Sequence, residues 1–472
     1  METQINRNLG SGSVSRASSA FSTDFEKQNA FSLADSERKY SRQFFAMYQH
    51  RLAMLKPRVE REAMRKWGHN TRNVNGQKIQ HKDKILDIVS GELCWVLGTV
   101  FSDMKHKLNI LQDVEKGVDD VMPAMPELYV DSQNGAVVML EDESGRAILH
   151  NEDLLRTTGL VTGCFVAVLG IEIQAGIFEI MEVTYPVPAP QNALPAPTSE
   201  KHYLALVSGL NFSTSTECDL RTTLLQQWLA GEIGSVEDQK ESSSVCRVII
   251  AGDSVEEVVS ETNNDFKSSN NFGSKNTSNF LAESLRLLGS WLSEVVSTVP
   301  VTVMAGDSDP AEVCLPQQPL HKSLLGRNAR LAGNDNLAIH TTTNPAWMEL
   351  ENGLRILGTS GQNISDILKY LTSSHLKEDI LNTMERTIRW QNIVPTAPDT
   401  LYCYPFDDKD PFTLDETPHL YFVGNQTHGG FKKVKVKDTE VTMVSIPKFS
   451  ESGEIVLVEC STLETKTVRF AV

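Results

Sequence analysis

The chain has 472 residues, more than one hydrophobic core accommodates, so two or three domains are expected. Its 40% apolar and 22% charged residues are ordinary for a globular protein, and a net charge of −17 argues against non-specific attraction to nucleic acid. No apolar run approaches the ~20 residues that span a bilayer, and the Ser-rich, polar N-terminus is not a secretory signal. The seven cysteines (Cys94, Cys164, Cys218, Cys246, Cys314, Cys403 and Cys460) are odd in number and contain no C-x-x-C pair. They read as reduced core thiols of an intracellular protein.

Residues 1–36 are rich in Ser, Asn and Ala without periodicity, which predicts a disordered tail. A helical segment is expected over 37–70. One helix starts near Ser41 with Phe44, Tyr48, Leu52 and Leu55 on a stripe; a second opens at Pro57 with Val59, Ala63 and Trp67. Residues 37–66 carry nine Lys or Arg against three Glu, and these basic residues are placed on a solvated face opposite the stripes, with an acidic partner or DNA as the other reading.

Period-two alternation then begins, with Leu93, Trp95, Leu97, Thr99 and Phe101 on one side and Gly98 suggesting a bulge. Further strands fit Val137–Leu140, Ala147–Leu149, Phe165–Leu169 and Ile177–Val183. Five strands in so short a stretch predict a small closed barrel of OB type over 80–186. Single-strand DNA binding needs a basic groove with stacking aromatics, but residues 90–185 hold five Lys or Arg against sixteen Asp or Glu. A protein-binding platform fits that balance better. The Pro/Ala-rich stretch 187–200 reads as a semi-rigid linker that could also pack along a domain surface.

From 201 to 472 one device recurs: an apolar strand ends in a glycine or polar turn. The turns are Ser208-Gly209-Leu210, Gly252-Asp253-Ser254, Gly306-Asp307-Ser308-Asp309, Gly358–Ile367 and Gly424-Asn425-Gln426. Amphipathic helices carry Leu281, Leu285, Leu288, Leu292 and Val295, and Leu376, Ile380, Met384 and Ile388. An Asn/Ser-rich stretch, Asn263–Asn279, is expected to be a mobile loop, and alternating valines after Lys432 suggest a closing β-region. The layout predicts a layered α/β domain with its loops gathered on one sheet edge, where sites are built. Asn363 is placed to cap the helix after the Gly358 turn.

Five such loops, two of them Gly-Asp, resemble the two-metal phosphoesterases, whose paired cations stabilise both entering and leaving oxygens. That resemblance implies an Asp-x-His turn, a Gly-Asp turn, Gly-Asn-His-Asp or Glu, a lone His and a Gly-His turn. This chain departs from the series. Ser208 and Leu210 stand in the first turn, and Asp253 is kept in the second. Asp307, Ser308 and Asp309 replace the Asn-His-Asp group, and Asn425 follows Gly424 with His428 three residues too late. Carboxylates alone could hold a hard ion such as Mg²⁺, but too few ligands remain for binuclear hydrolysis. The pocket is expected to be chemically silent. The acidic turn Asp407, Asp408 and Asp410 lacks calcium-loop spacing and reads as solvated. His321, His340, His375 and His419 lack metal-ligand spacing and read as surface or capped-core residues. Lys432, Lys433, Lys435 and Lys437 read as a charged edge that blunts aggregation.

The motifs Ala305–Pro310, Leu315–His321, the Gly358–Ile367 turn and Pro395–Leu401 are similar to those of the B-subunit family of replicative DNA polymerases. Within them stand Gly358, Ser360, Gly361, Gln362, Asn363, Asp366, Pro395, Pro398, Asp399 and Thr400. Ser41-Arg42-Gln43, Leu93–Phe101, Leu160–Gly163 and Leu206–Leu210 also fit, so the resemblance runs from about residue 37 to the C-terminus. It implies an OB-fold packed on an inactivated calcineurin-like phosphoesterase domain, without catalysis and without a cofactor. It further implies a nuclear scaffold joining the polymerase's catalytic subunit, through that chain's metal-binding C-terminal region, to a further accessory subunit. The translesion polymerase zeta is a further implied partner, and DNA is reached only through the complex. Partner contacts are expected in the cleft between the two domains, with the basic helices nearby. A metal-dependent phosphodiesterase or nuclease and a single-strand DNA-binding protein are the alternative readings.

Overall fold

The structure, a computed structural model, describes residues 16, 19–34, 38–39, 43–69, 72–74, 76–107, 127–130, 136–198, 200–214, 220–256, 281–326, 339–371 and 376–471. The Asn263–Asn279 stretch, Cys218, His375 and much of 1–36 lie outside them. Among the described residues no helix is long and apolar enough to cross a membrane.

One helix, α1 (Phe45–Trp67), replaces the two expected, running through Pro57. Proline in a helix interior removes one hydrogen bond at a cost of ~3 kcal/mol, but the stripe Met47, Leu55, Val59, Ala63 and Trp67 continues in phase on both sides of it and is buried throughout. Packing along that stripe outweighs the local break. Arg51 and Glu62 share the buried side, so the basic face is not wholly solvated.

A short hairpin, β1 (Asn73–Val74) and β2 (Gln77–Lys78), leads into the barrel. The barrel comprises β3 (Gln80–His81), β4 (Leu93–Asp103), β5 (Val137–Glu141), β6 (Arg146–His150), β7 (Phe165–Gln174) and β8 (Ile177–Thr184). The order β3-β4-β5-β6-β8-β7 closes through a β4–β7 pairing, which makes the predicted ring. Gly98 is no bulge: β4 keeps regular register there against β7, and a side chain at this position would collide with Leu140 of β5. The irregularities lie between β7 and β8, at Leu169/Gly170 and at Glu172/Gln174. Trp67 and the α1 stripe pack on Trp95, Phe165 and Ala167 of the barrel.

The stretch after the barrel is stitched to the next domain. Thr417 donates from its N–H to Pro190 O (2.8 Å) and from its hydroxyl to Ala189 O (2.7 Å). The amide of buried Ala189 donates to Gln391 Oε1 (2.7 Å).

The remaining residues form two sheets face to face. One contains β9 (Tyr203–Val207), β10 (Val245–Ala251), β11 (Val301–Met304) and β12 (Ile339–Thr342), all parallel, with β18 (Glu454–Glu459) and β19 (Thr465–Arg469) antiparallel at one side. The other contains β13 (Ala346–Glu349), β14 (Arg355–Thr359), β15 (Leu420–Gln426), β16 (Gly430–Val436) and β17 (Thr439–Pro447), in the order β13-β14-β15-β17-β16. Leu206, Ile249, Met304, Ile356, Phe422, Val444 and Val456 fill the space between the sheets. The outer face of the first sheet is covered by helices including Ala282–Val296, through Leu285, Leu288, Leu292 and Val295. The outer face of the second is covered by Gln362–Leu368 and Leu376–Trp390, and their core runs on without interruption into the barrel interior. The lysine-rich β16 is an edge strand, with Lys432 bonded to Glu385 and Lys437 to Glu62.

The N-terminal segment departs from its composition. Residues 19–34 cross the sandwich as a strap. Phe21 bridges Leu350, Arg247 lies over the Phe21 ring (4.2 Å), and Phe31 is buried against Phe412. Four aromatic or aliphatic anchors (Phe21, Phe25, Phe31 and Leu33) supply enough burial to order a chain whose polar average predicts disorder.

Candidate functional site

All five predicted turns meet where β9, β10 and β11 of one sheet and β14 and β15 of the other reach their carboxyl ends. They converge because parallel strands deliver successive turns to one edge. Gly209 donates its N–H to Gly252 O (3.0 Å), and Asn211 donates to Asp253 O (3.1 Å). A side chain on Gly424 would collide with the carbonyl of Ala251, so the two sheets approach here backbone to backbone.

Most polar side chains of the cluster bond to protein groups, although Ser254 Oγ and Asn425 Oδ1 are buried without a hydrogen-bond partner. Ser208 is fully buried; its hydroxyl accepts from the Asn425 N–H (2.9 Å) and lies within reach of the Ile446 and Pro447 carbonyls. Leu210 is buried in the apolar core outside the first sheet. Asp253, in a left-handed conformation (φ 53°), accepts from the N–H groups of Asp307 (2.8 Å) and Ser308 (3.3 Å) through Oδ1. Lys448 Nζ stands 3.9 Å from its Oδ2. Burial raises the Asp253 carboxyl above the usual range. Asp309 accepts from Ser254 and Val255 through Oδ1 and from Gly306 through Oδ2, yet burial pushes its carboxyl up to about 7. Ser308 donates to Val255 O (2.7 Å), Asp307 is exposed, and Asn425 donates to Ala251 O (3.1 Å) and Ser360 O (2.8 Å).

The two-metal phosphoesterase series set out above uses imidazoles as well as carboxylates to hold its paired cations. His428 turns away onto Thr427 Oγ1, and among the described residues no three His, Cys, Asp or Glu side chains are grouped to hold a metal. The donor set does not fit a two-metal centre. What it does is latch five loops together.

The second half of the motif region sits beside this latch and reaches the barrel. Gly358 is buried in β14 beside Phe422, and Gly361 (φ 115°) rather than Asn363 is the N-cap of the following helix. Asn363 lies inside the first turn and donates to Ile393 O (2.8 Å) and the Tyr421 hydroxyl (3.1 Å). Ser360 and Gln362 both accept from Asn344 Nδ2 (2.7 and 2.9 Å). Asp366, its carboxyl raised by burial, accepts from the hydroxyls of Tyr129 (2.6 Å) and Thr400 (2.7 Å). Asp399 pairs with Lys107, and Pro398 follows a cis bond.

Arg51 completes the joint. Only 2% exposed, it donates from Nε to Asp410 Oδ2 (2.6 Å), from Nη1 to Pro395 O (3.0 Å) and from Nη2 to Ala397 O (3.1 Å), with Gly163 O of the barrel at 3.5 Å. Asp410 is therefore a buried partner and not part of a solvated turn. His419 is a capped-core histidine, accepting from Arg355 N–H (3.0 Å) and facing Asn192 O (2.9 Å). The expected interdomain cleft is filled by these contacts.

Residues 204–433 match the family of the DNA polymerase alpha/epsilon B subunits, and residues 43–183 match the DNA polymerase delta subunit OB-fold domain. The DNA polymerase delta small subunit of Saccharomyces cerevisiae is 37% identical over 94% of this chain and 93% of its own length. The chain belongs to the DNA polymerase delta small-subunit family. The Arabidopsis thaliana small subunit is 36% identical over 82% of this chain and 84% of its own, and the Drosophila melanogaster DNA polymerase delta subunit 2 is 32% identical over 92% and 94%. In this member of the family, pattern reading missed Arg51, Tyr129 and Lys107 as joint residues and took Asp410 for part of a solvated turn. Arg51 had a signal: it stands four residues from both Met47 and Leu55, on the buried side of a helix. The others have no local pattern.

Proposed function

We propose that this chain is a non-catalytic scaffold of a DNA polymerase delta assembly acting in replication and repair. It joins the catalytic subunit, through that subunit's metal-binding C-terminal region, to a further accessory subunit. It acts in the nucleus, contacts DNA only through the complex, and also serves polymerase zeta. The family relationship supports the assembly. The latched loops support the absence of chemistry: Ser208, Asp253, Asp309 and Asn425 bond to backbone groups, and a lysine ammonium stands beside the carboxylate that a cation would need.

The test is co-expression with the polymerase catalytic subunit, followed by an assay of the purified chain on an activated phosphodiester with Mn²⁺. A stoichiometric complex is expected, with hydrolysis no faster than that of Asp253→Ala. Mn²⁺-dependent cleavage that Asp253→Ala abolishes would overturn the non-catalytic reading.

A further inference from the structure

The N-terminal strap roofs a cavity of about 420 Å³ at the end of the sandwich where β10, β11 and β12 begin, opposite the latched loops. Arg247, Thr302 and His340 line it from those three strands, and Phe21 and Ser22 line it from the strap.

Arg247 is the anomaly. It is only 4% exposed, yet among the described residues no carboxylate answers its charge. Nη1 donates to the Thr302 hydroxyl (3.2 Å), Nε is buried without a hydrogen-bond partner, and the Phe21 ring lies 4.2 Å from the guanidinium carbon. Burial holds the group down to about 10, and the neighbour that opposes this is the Cys246 thiol. A ring face returns less than the desolvation of a guanidinium takes away. The carboxylates that line the same cavity do not make up the difference: Glu349 is bonded to Arg355 Nε (2.7 Å), and Glu351 is exposed to solvent. His340 pairs in register with Thr302, and burial together with the positive charges of Arg247 and Lys322 holds its imidazole below the usual value. An anion seated here would relieve both side chains.

Two observations select its chemistry. The donors are of three kinds: a guanidinium, hydroxyls and an imidazole, a set suited to an anion with several oxygens. The aromatic faces are taken, since Phe21 lies under Arg247, Phe25 under Arg355 (4.9 Å) and Trp347 under Lys27 (5.2 Å). The recognised part of a ligand is therefore its charge and not a ring. We infer that this cavity is an oxyanion site that takes the phosphate group of a small molecule, with Arg247, His340 and the hydroxyls of Thr302 and Ser22 as its donors. The site is independent of the scaffold proposal.

The experiment follows thermal unfolding of the full chain in inorganic phosphate, a deoxynucleoside monophosphate or acetate at equal ionic strength. Phosphate should raise the melting temperature, as binding to the folded state requires, and acetate should do so far less. His340→Gln should weaken the apparent affinity for phosphate roughly tenfold, and Arg247→Met should abolish the response. Without phosphate, Arg247→Met should melt no lower than the parent, because an apolar side chain replaces a buried charge that has no counter-ion. If that variant fails to fold, the His340→Gln titration decides alone. A response to the monophosphate at lower concentration than to inorganic phosphate identifies an ester as the ligand, and an equal response identifies the free ion. No rise with either phosphate, a rise that survives both substitutions, or an equal rise with acetate overturns the inference.

Discussion

A guanidinium buried at the meeting point of helix, barrel and sandwich is useful only while all its acceptors remain. Arg51→Met leaves the Asp410 carboxylate buried without its cation, a change worth about 3–5 kcal/mol, so thermal unfolding should show a large loss of stability. Arg51→Lys should not restore it, because an ammonium cannot reproduce the planar fork that spans Asp410, Pro395 and Ala397. Asp309 acts in the opposite sense. Its folded carboxyl titrates at about 7 against an ordinary value of 3.8, so between those values the folded chain keeps a proton that the unfolded chain has released. Stability from this group is complete below about pH 4 and is lost as pH rises to about 7. The stability difference between the parent and Asp309→Asn, measured by denaturant titration, should therefore fall across that window and level off above it. Neither residue was legible in full. Asp309 stands in a recognisable turn, but its burial depends on loops from other strands; the partner of Arg51 lies 359 residues away.

At the scale of elements, period and turn chemistry were readable wherever a strand or helix is decided by its own residues. The five predicted barrel strands, the strand-to-turn units and the helices around Leu288 and Met384 lie where alternation or helical spacing places them, whereas β3 carried no such signal. Reading failed where a distant surface decides. Pro57 divides a helix only if nothing holds its halves in line, and the barrel surface holds them. Gly98 mimics a bulge, yet its role is to let Leu140 approach. The N-terminal strap is the clearest case, because average composition hides four well-spaced anchors. Phe31→Ala should cost about 3 kcal/mol or more, the usual range for a buried aromatic. A melting curve indistinguishable from the parent's would show that the strap is not held in solution.

For the whole molecule, the apolar core passes from the barrel interior through the joint to the helices of the second sheet. Residues 187–192 add hydrogen bonds along the same seam. The barrel and the sandwich should therefore unfold together, and calorimetry should record one transition whose van't Hoff and calorimetric enthalpies agree. Two separated transitions would mean that the seam is weaker than its contacts imply. The same joint bears on biosynthesis. Ribosomes release α1 and the barrel long before Asp410 emerges, and N-terminal domains fold first. Until the last quarter of the chain arrives, Arg51 stays in water and the apolar side of the barrel that Val394, Ala397 and Phe412 help to bury stays uncovered. Prematurely terminated products would thus present bare apolar surface, the feature that chaperones and proteases recognise, before they could compete for partners.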